Sequence, residues 1–288
     1  MKKNKVMIVD DSSFLRNIIS DILQQSGFEI VGQAGSKEEA LEVYDKTNPD
    51  IVTMDIAMPG ADGFECVKAL FEKNQDLKII MISSMQDEEL LTKAEKMKIS
   101  GFIQKPFEEE DLISVVKGIM EAEENYEFLK SISTEAFKDA FNNGITRLTK
   151  KIPTAFREEE ELNQYHSKGV TTLVGVIGVY SGRMIVDMSY DTADKIAAEM
   201  LRRQTKDKEE VLNTISEFAN IICGNVCSNI NKTKGLFGLR VAPPIIFYGE
   251  DLHSSTPNIH SKSLWVTTDF GEVWLNIGFK RSEGLIWK

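Results

Sequence analysis

DIVTMDIAMPGADG, residues 50–63, carries the reading of the first half of the chain. Its opening DIVTMD is apolar on both sides of an extended strand and closes on the carboxylate Asp55, and the following MPGADG is rich in turn formers. A strand apolar on both faces belongs inside a parallel sheet covered by helices. The neighbouring sequence repeats the pattern. VMIV (6–9), EIVGQA (29–34), KIIMIS (78–83) and GFIQK (101–105) alternate with amphipathic stretches at 13–26, 37–48, 63–74, 87–98 and 108–125. Five successive βα units predict an α/β domain over residues 1–122, a doubly wound five-stranded parallel sheet. In such sheets ligands sit outside the carboxyl ends of the strands, so the residues that end each run carry the chemistry.

Those residues are Asp10 and Asp11 after the first run, Asp55 after the third, Ser83 at the end of the fourth and Lys105 after the fifth. One Asp or Ser after a strand is an ordinary turn former or helix N-cap. Three carboxylates converging at one sheet edge repel one another unless a cation joins them, and an oxygen-only set suits Mg²⁺. Together with MPGADG (58–63) and Lys105-Pro106, this set resembles the receiver domain of two-component response regulators, the CheY-like fold. The resemblance implies that Asp55 accepts a phosphoryl group from the phosphohistidine of a cognate histidine kinase. It implies that Asp10, Asp11 and Asp55 hold Mg²⁺ with the backbone carbonyl of Ala57, that Ser83 hydrogen-bonds the phosphoryl group, and that Lys105 pairs with it. Transfer through a loose transition state needs positive charge around the equatorial oxygens, which Mg²⁺ and Lys105 supply. Ala57 and Met85, two residues beyond Asp55 and Ser83, flank the place where an attacking water lies in this family. Neither side chain hydrogen-bonds a water, so unaided hydrolysis of phospho-Asp55 is expected to be slow, and the small Ala57 leaves room for a visiting side chain. Phe102 stands where the family often has an aromatic switch residue; taken alone, it reads as core.

The stretch EAEENYEFLKSIS (121–133) has no Pro or Gly and keeps helical spacing, which predicts a stiff helical linker over 123–133. Residues 134–288 then read as a helix (134–150), strand-like stretches around 155–166, 170–179 and 182–189, a helix at 191–202, a long helix from about 207 to 232, and strands around 241–249, 262–269 and 272–280. This is an α+β domain with an antiparallel sheet. On the long helix Val211, Leu212, Ile215, Phe218, Ala219, Ile222, Val226 and Ile230 fall on one side. Glu210, Asn213, Glu217, Asn220, Gly224, Ser228 and Asn231 fall on the other. That second face is short, polar and almost uncharged, and Gly224 within it costs about 1 kcal/mol against Ala, which suggests that something approaches closely.

Glu217 and Asn220, three apart, lie side by side on this face. Glu-x-x-Asn also occurs at Glu160/Asn163 and Glu210/Asn213, but after the third pair a proline, Pro243, follows Asn220 with 22 residues between. That longer pattern, within SEFANIICGN (216–225), resembles the CheC/CheX/FliY phosphatases that act on phosphorylated CheY. The likeness extends over about 134–283 in element order, and the single copy of the motif looks more like CheX than the two-site CheC. The family usually has Asp or Ser four residues before the Glu; here Asn213 stands there. The resemblance implies that Glu217 pairs with the receiver lysine while Asn220 holds one water in line with the Asp–phosphoryl bond, and that the protein is a homodimer. Cys223 and Cys227, on the helix flank, read as packing residues. The whole chain therefore reads as a response regulator whose output domain hydrolyses receiver phosphoaspartate, either its own, in cis or across a dimer, or that of a separate CheY-like protein. The rival is a non-enzymatic switch in which phosphorylation controls dimerisation or docking.

Composition agrees with two soluble domains: 288 residues, 42% hydrophobic and 27% charged. A net charge of −11 disfavours nucleic-acid and anionic-membrane partners. Three cysteines and three widely spaced histidines give no zinc pattern and fit a reducing cytoplasm. The first apolar run, four residues to Val9, is far short of a membrane span or signal core.

Overall fold

The computed structural model describes residues 4–58, 61–84, 88–159, 164–249, 253–255, 259–281 and 286–287. The chain divides into two compact units, Met1–Glu123 with Glu283–Lys288, and Glu124–Ser282.

In the first unit β1 (Lys5–Val9), β2 (Glu29–Ala34), β3 (Ile51–Asp55), β4 (Lys78–Ser83) and β5 (Gly101–Gln104) form a parallel sheet in the order β5-β4-β3-β1-β2. Val6, Met7, Ile8, Ile79, Ile80 and Met81 expose nothing, so successive residues are buried on opposite faces. Helices α1 (Ser13–Gln25), α2 (Lys37–Thr47), α3 (Gly63–Lys73), α4 (Glu88–Lys96) and the start of α5 (Glu109–Thr149) cover them. Ile19, Leu23, Leu112 and Val116 pack with Val6 and Ile8, whereas Ala40, Val67 and Leu70 pack with Met7 and Val9. Several helix starts are capped by side chains. Ser12 accepts from the Leu15 amide, Ser36 from Glu39 and Asp62 from Phe64. Because β1, β3, β4 and β5 are contiguous in the sheet, the residues at their carboxyl ends share one edge.

The second unit holds β6 (Ala155–Glu159), β7 (Gly169–Ile177), β8 (Gly182–Ser189), α6 (Tyr190–Leu201), α7 (Lys208–Thr233), β9 (Arg240–Val241), β10 (Ile245–Gly249), β11 (His260–Thr268) and β12 (Gly271–Phe279). Its antiparallel sheet runs β9-β7-β8-β12-β11-β6, with β10 also on β7. Val174, Met184, Val186, Val273 and Leu275 turn one sheet face toward the apolar stripe of α7, where Ile215, Phe218, Ile222 and Val226 are wholly buried. Phe141 of α5 meets Phe218 edge to face at 5.8 Å between centroids. Each such fully buried side chain contributes about 1.5–3 kcal/mol, so one face of α7 is firmly committed to the core.

The fifth receiver helix, the segment 123–133 and the next helix are one 41-residue helix, α5, as the helical spacing of 121–133 predicts. Two features differ from the sequence-based expectation. The expected strand 241–249 is broken by Pro243 and Pro244 into β9 and β10, since proline lacks the amide a ladder needs. Finally, Ile286–Trp287, here β13, pairs parallel with β5 of the first unit, a strand the sequence reading did not contain. No helix among the described residues is long and apolar enough to cross a membrane.

Candidate functional site

The shared edge of the first sheet gathers the expected cluster. One oxygen from each of Asp10, Asp11 and Asp55 lies within 4.8 Å of the others. Lys105 Nζ stands 2.9 Å from Asp10 Oδ2 and 3.1 Å from Asp55 Oδ2. Asp10 and Asp55 are buried, whereas Asp11 is exposed. Ser83 is buried at the end of β4, and its carbonyl accepts the Lys105 amide at 2.7 Å, tying the ends of β4 and β5 together. Burial pushes the Asp55 carboxyl above its ordinary value and outweighs the Lys105 ammonium, which pulls the other way. Three carboxyl groups against one ammonium leave net negative charge, and an all-oxygen donor set with one exposed member fits a hard divalent cation that keeps some water. Ala57 is exposed beside Asp55, and its amide donates to Asp55 Oδ1 at 3.4 Å. Phe102 is 2% exposed within the sheet's apolar core. Met85 lies outside the described residues.

Two supports of this cluster were not read from the sequence. Arg16 Nη1 donates to the carbonyls of Asp10 (2.5 Å) and Asp11 (3.3 Å), bracing the paired aspartates. Gly63 opens α3 directly behind Asp55, where a Cβ would stand 2.3 Å from the Asp55 carbonyl oxygen. The signal for Gly63 was present in MPGADG; for Arg16, one turn into an amphipathic helix, there was none.

In the second unit the polar face of α7 divides into pinned and open residues. Glu210 is held by a two-pronged pair with Arg203 and by the Lys206 amide. The Arg203 hydrogen bond, first among the causes, draws its carboxyl down to about 2. Asn231 is pinned to the Leu239 backbone through both its amide oxygen and nitrogen. Between them, Glu217 and Asn213 are exposed and Asn220 is half-buried. Neither Glu217 nor Asn220 has a hydrogen bond or ion pair among the described residues. An open hollow of about 620 Å³, lined by Asn213, Thr214 and Glu217 among others, lies at one end of this face. A second, of about 550 Å³, is lined by Gly224, Ser228 and Asn231 among others. A Cβ on Gly224 would meet nothing within 4 Å, so nothing in this chain's own packing requires the glycine. Gly224→Ala should therefore raise stability by about 1 kcal/mol, read as a higher melting temperature. Cys223 and Cys227 are buried and unpaired in disulfides, and burial pushes both thiols up, Cys227 to about 11. The pair Glu160/Asn163 lies outside the described residues.

Comparison with known proteins places both halves. Residues 6–117 match the response regulator receiver domain and residues 170–268 match the chemotaxis phosphatase CheX. Chemotaxis protein CheY of Thermotoga maritima is 36% identical over 115 residues, covering 40% of this chain and 96% of that protein. CheY of Listeria monocytogenes is 38% identical over 113 residues, covering 39% and 95%. Among solved structures, chemotaxis protein CheX from Desulfovibrio desulfuricans aligns at 18% identity over 51% of this chain and 99% of its own, with a TM-score of 0.46. The CheX-CheY-BeF₃-Mg complex from Borrelia burgdorferi aligns at 34% identity, covering 41% and 89%, with a TM-score of 0.39. The chain belongs to the response regulators, with a CheY-like receiver domain at its amino end and a domain of the CheX chemotaxis phosphatase family after it.

Proposed function

We propose that this response regulator is phosphorylated on Asp55 and that its CheX-like domain hydrolyses receiver phosphoaspartate through Glu217 and Asn220. The observation that carries the reading is the adjacency of these two residues, without side-chain partners among the described residues, on an otherwise uncharged open stretch of α7. A carboxylate and a carboxamide left free on a helix whose other polar ends are pinned are available to a second molecular surface.

In the phosphorylation step an Asp55 carboxylate oxygen attacks the phosphorus of a phosphohistidine; the O–P bond forms and the P–N bond breaks. Asp10, Asp11 and Asp55 with the Ala57 carbonyl would hold Mg²⁺, which supplies positive charge to the phosphoryl oxygens. Lys105 shifts from its carboxylate partners to a phosphoryl oxygen, and the Ser83 hydroxyl donates to another. In hydrolysis Glu217 binds the receiver lysine and fixes the dock, and the Asn220 amide orients a water opposite the Asp–O–P bond. Water oxygen joins phosphorus and the P–O bond to Asp55 breaks; the carboxylate is regenerated in place and inorganic phosphate leaves, carrying the water's oxygen and protons. Ala57 offers the receiver no water-orienting side chain, which is why the visiting amide matters.

The partners of this reading are a cognate histidine kinase, a CheY-like receiver and a second copy of the chain. The receiver is the chain's own, in cis or across the dimer, or a separate protein. A tethered receiver is present at an effective concentration of about millimolar, which makes a docking contact less critical within one chain than between chains. Glu217→Ala tests this. Phosphate release from a separately phosphorylated CheY-like protein should fall several-fold more than loss of phosphate from the chain's own Asp55. Unchanged release in both assays would remove Glu217 from the proposal.

A further inference from the structure

We propose that the outer edge of β5 is a strand-accepting surface whose occupant is this chain's own β13, and that β13 is a latch, seated while Asp55 is unmodified and released by its phosphorylation. An exposed sheet edge presents unpaired amides and carbonyls, and an added strand satisfies them. Here the Ile286 amide donates to the Ser100 carbonyl at 3.2 Å, with Ile286 opposite Gly101 and Trp287 opposite Phe102.

Two glycines line the seat. A Cβ on Gly101 would crowd Val115 Cγ1 at 2.8 Å and Ile119 Cδ1 at 3.0 Å and lie 3.3 Å from Ile286 O, and one on Gly118 of α5 would stand in ordinary contact with Ile286 Cδ1 at 3.4 Å. Ile286 thus lies half-buried against the same apolar cluster that holds Ile103 and Val115. A strand of two residues makes few ladder hydrogen bonds. Such an element opens at low free energy, which is what a reversible contact requires.

The latch shares its strand with the phosphorylation site. Trp287 pairs with Phe102, three residues before Lys105, whose amide bonds Ser83 O and whose ammonium bonds Asp10 and Asp55. The seated strand fits β5 with Lys105 in these resting contacts. This part of the argument rests on the receiver reading above: a phosphoryl group on Asp55 recruits Lys105 and Ser83, moving the carboxyl end of β5 away from the geometry that β13 fits. Linkage then makes the effect mutual, so β13 opposes phosphorylation to the extent that phosphorylation releases β13.

The test is amide hydrogen exchange on the full-length chain with Mg²⁺, in the presence and absence of beryllofluoride as phosphoryl mimic. Exchange at residues 286–287 should be about tenfold faster with the mimic, within the usual range of allosteric couplings. Ile286→Asp removes the seated side chain, and Gly118→Leu fills the seat from α5 while leaving the strand intact. Both should expose the 286–287 amides without the mimic and tighten beryllofluoride binding about tenfold. Wild-type protein that binds beryllofluoride with no change in exchange at 286–287 would overturn the latch and leave the receiver reading standing. Failure to bind it at all would overturn both. Protection at 286–287 that grows with protein concentration would assign the strand to a second copy and overturn occupancy in cis.

Discussion

Asp55→Ala takes up no phosphoryl group from a small phosphodonor, under conditions where the wild-type chain is labelled once. Asp55 is the carboxylate at the end of β3 that has both an ammonium beside it and two further carboxylates within cation-sharing distance. Removing the divalent cation with a chelator should abolish labelling of the wild type too, since an anionic phosphoryl group must otherwise enter a site of like charge. Intact-mass measurement reads both effects. The variant should also fold at least as stably as the wild type. A carboxyl whose folded pKa is raised favours the fold at low pH, and that advantage is lost as pH rises through the raised value. Above that value the ionised, buried Asp55 works against folding, and Lys105 keeps Asp10 when Asp55 is removed. A melting temperature equal to or above wild type, together with no labelling, separates lost chemistry from lost structure.

Asn220→Ala slows phosphoaspartate hydrolysis roughly a hundredfold, about 2.7 kcal/mol, the typical loss when one positioned polar group leaves a reacting centre. The side chain is half-buried on the polar face of α7 and has no hydrogen bond to lose among the described residues, so stability should change by less than about 0.5 kcal/mol. Docking and catalysis separate at this residue. Affinity for a receiver carrying beryllofluoride should stay within about twofold of wild type, because Glu217 still supplies the charged contact. An Asn220→Ala protein that binds weakly in proportion to its lost turnover would make Asn220 a docking residue.

The receiver was legible nearly residue by residue because β1, β3, β4 and β5 are buried on both faces and end on, or are followed by, Asp, Ser or Lys. β2, β4 and the start of α3 fall where the apolar runs begin and end. The cluster was legible for the same reason, since topology alone brings the ends of contiguous strands together. What escaped was non-local or interrupted. Two residues carry no periodicity, and nothing near Ile286 announces a partner at Gly101. The stretch 241–249 reads as one strand by its apolar content, yet Pro243 and Pro244 split it into two pieces on the same neighbour. On α7 the periodicity separated the polar face correctly but could not distinguish Glu210 and Asn231, which have tertiary partners, from Glu217 and Asn220, which do not.

The central claim is that the CheX-like domain removes the phosphoryl group through Asn220. The direct measurement is the first-order loss of phosphate from phospho-Asp55 in full-length wild type and full-length Asn220→Ala, run beside the same two proteins mixed with a phosphorylated CheY-like protein. The account predicts a phosphoryl lifetime about a hundredfold longer with Asn220→Ala on the receiver that is the substrate. Equal lifetimes for wild type and a folded Asn220→Ala protein, on both receivers, would contradict it and leave the second domain a docking surface.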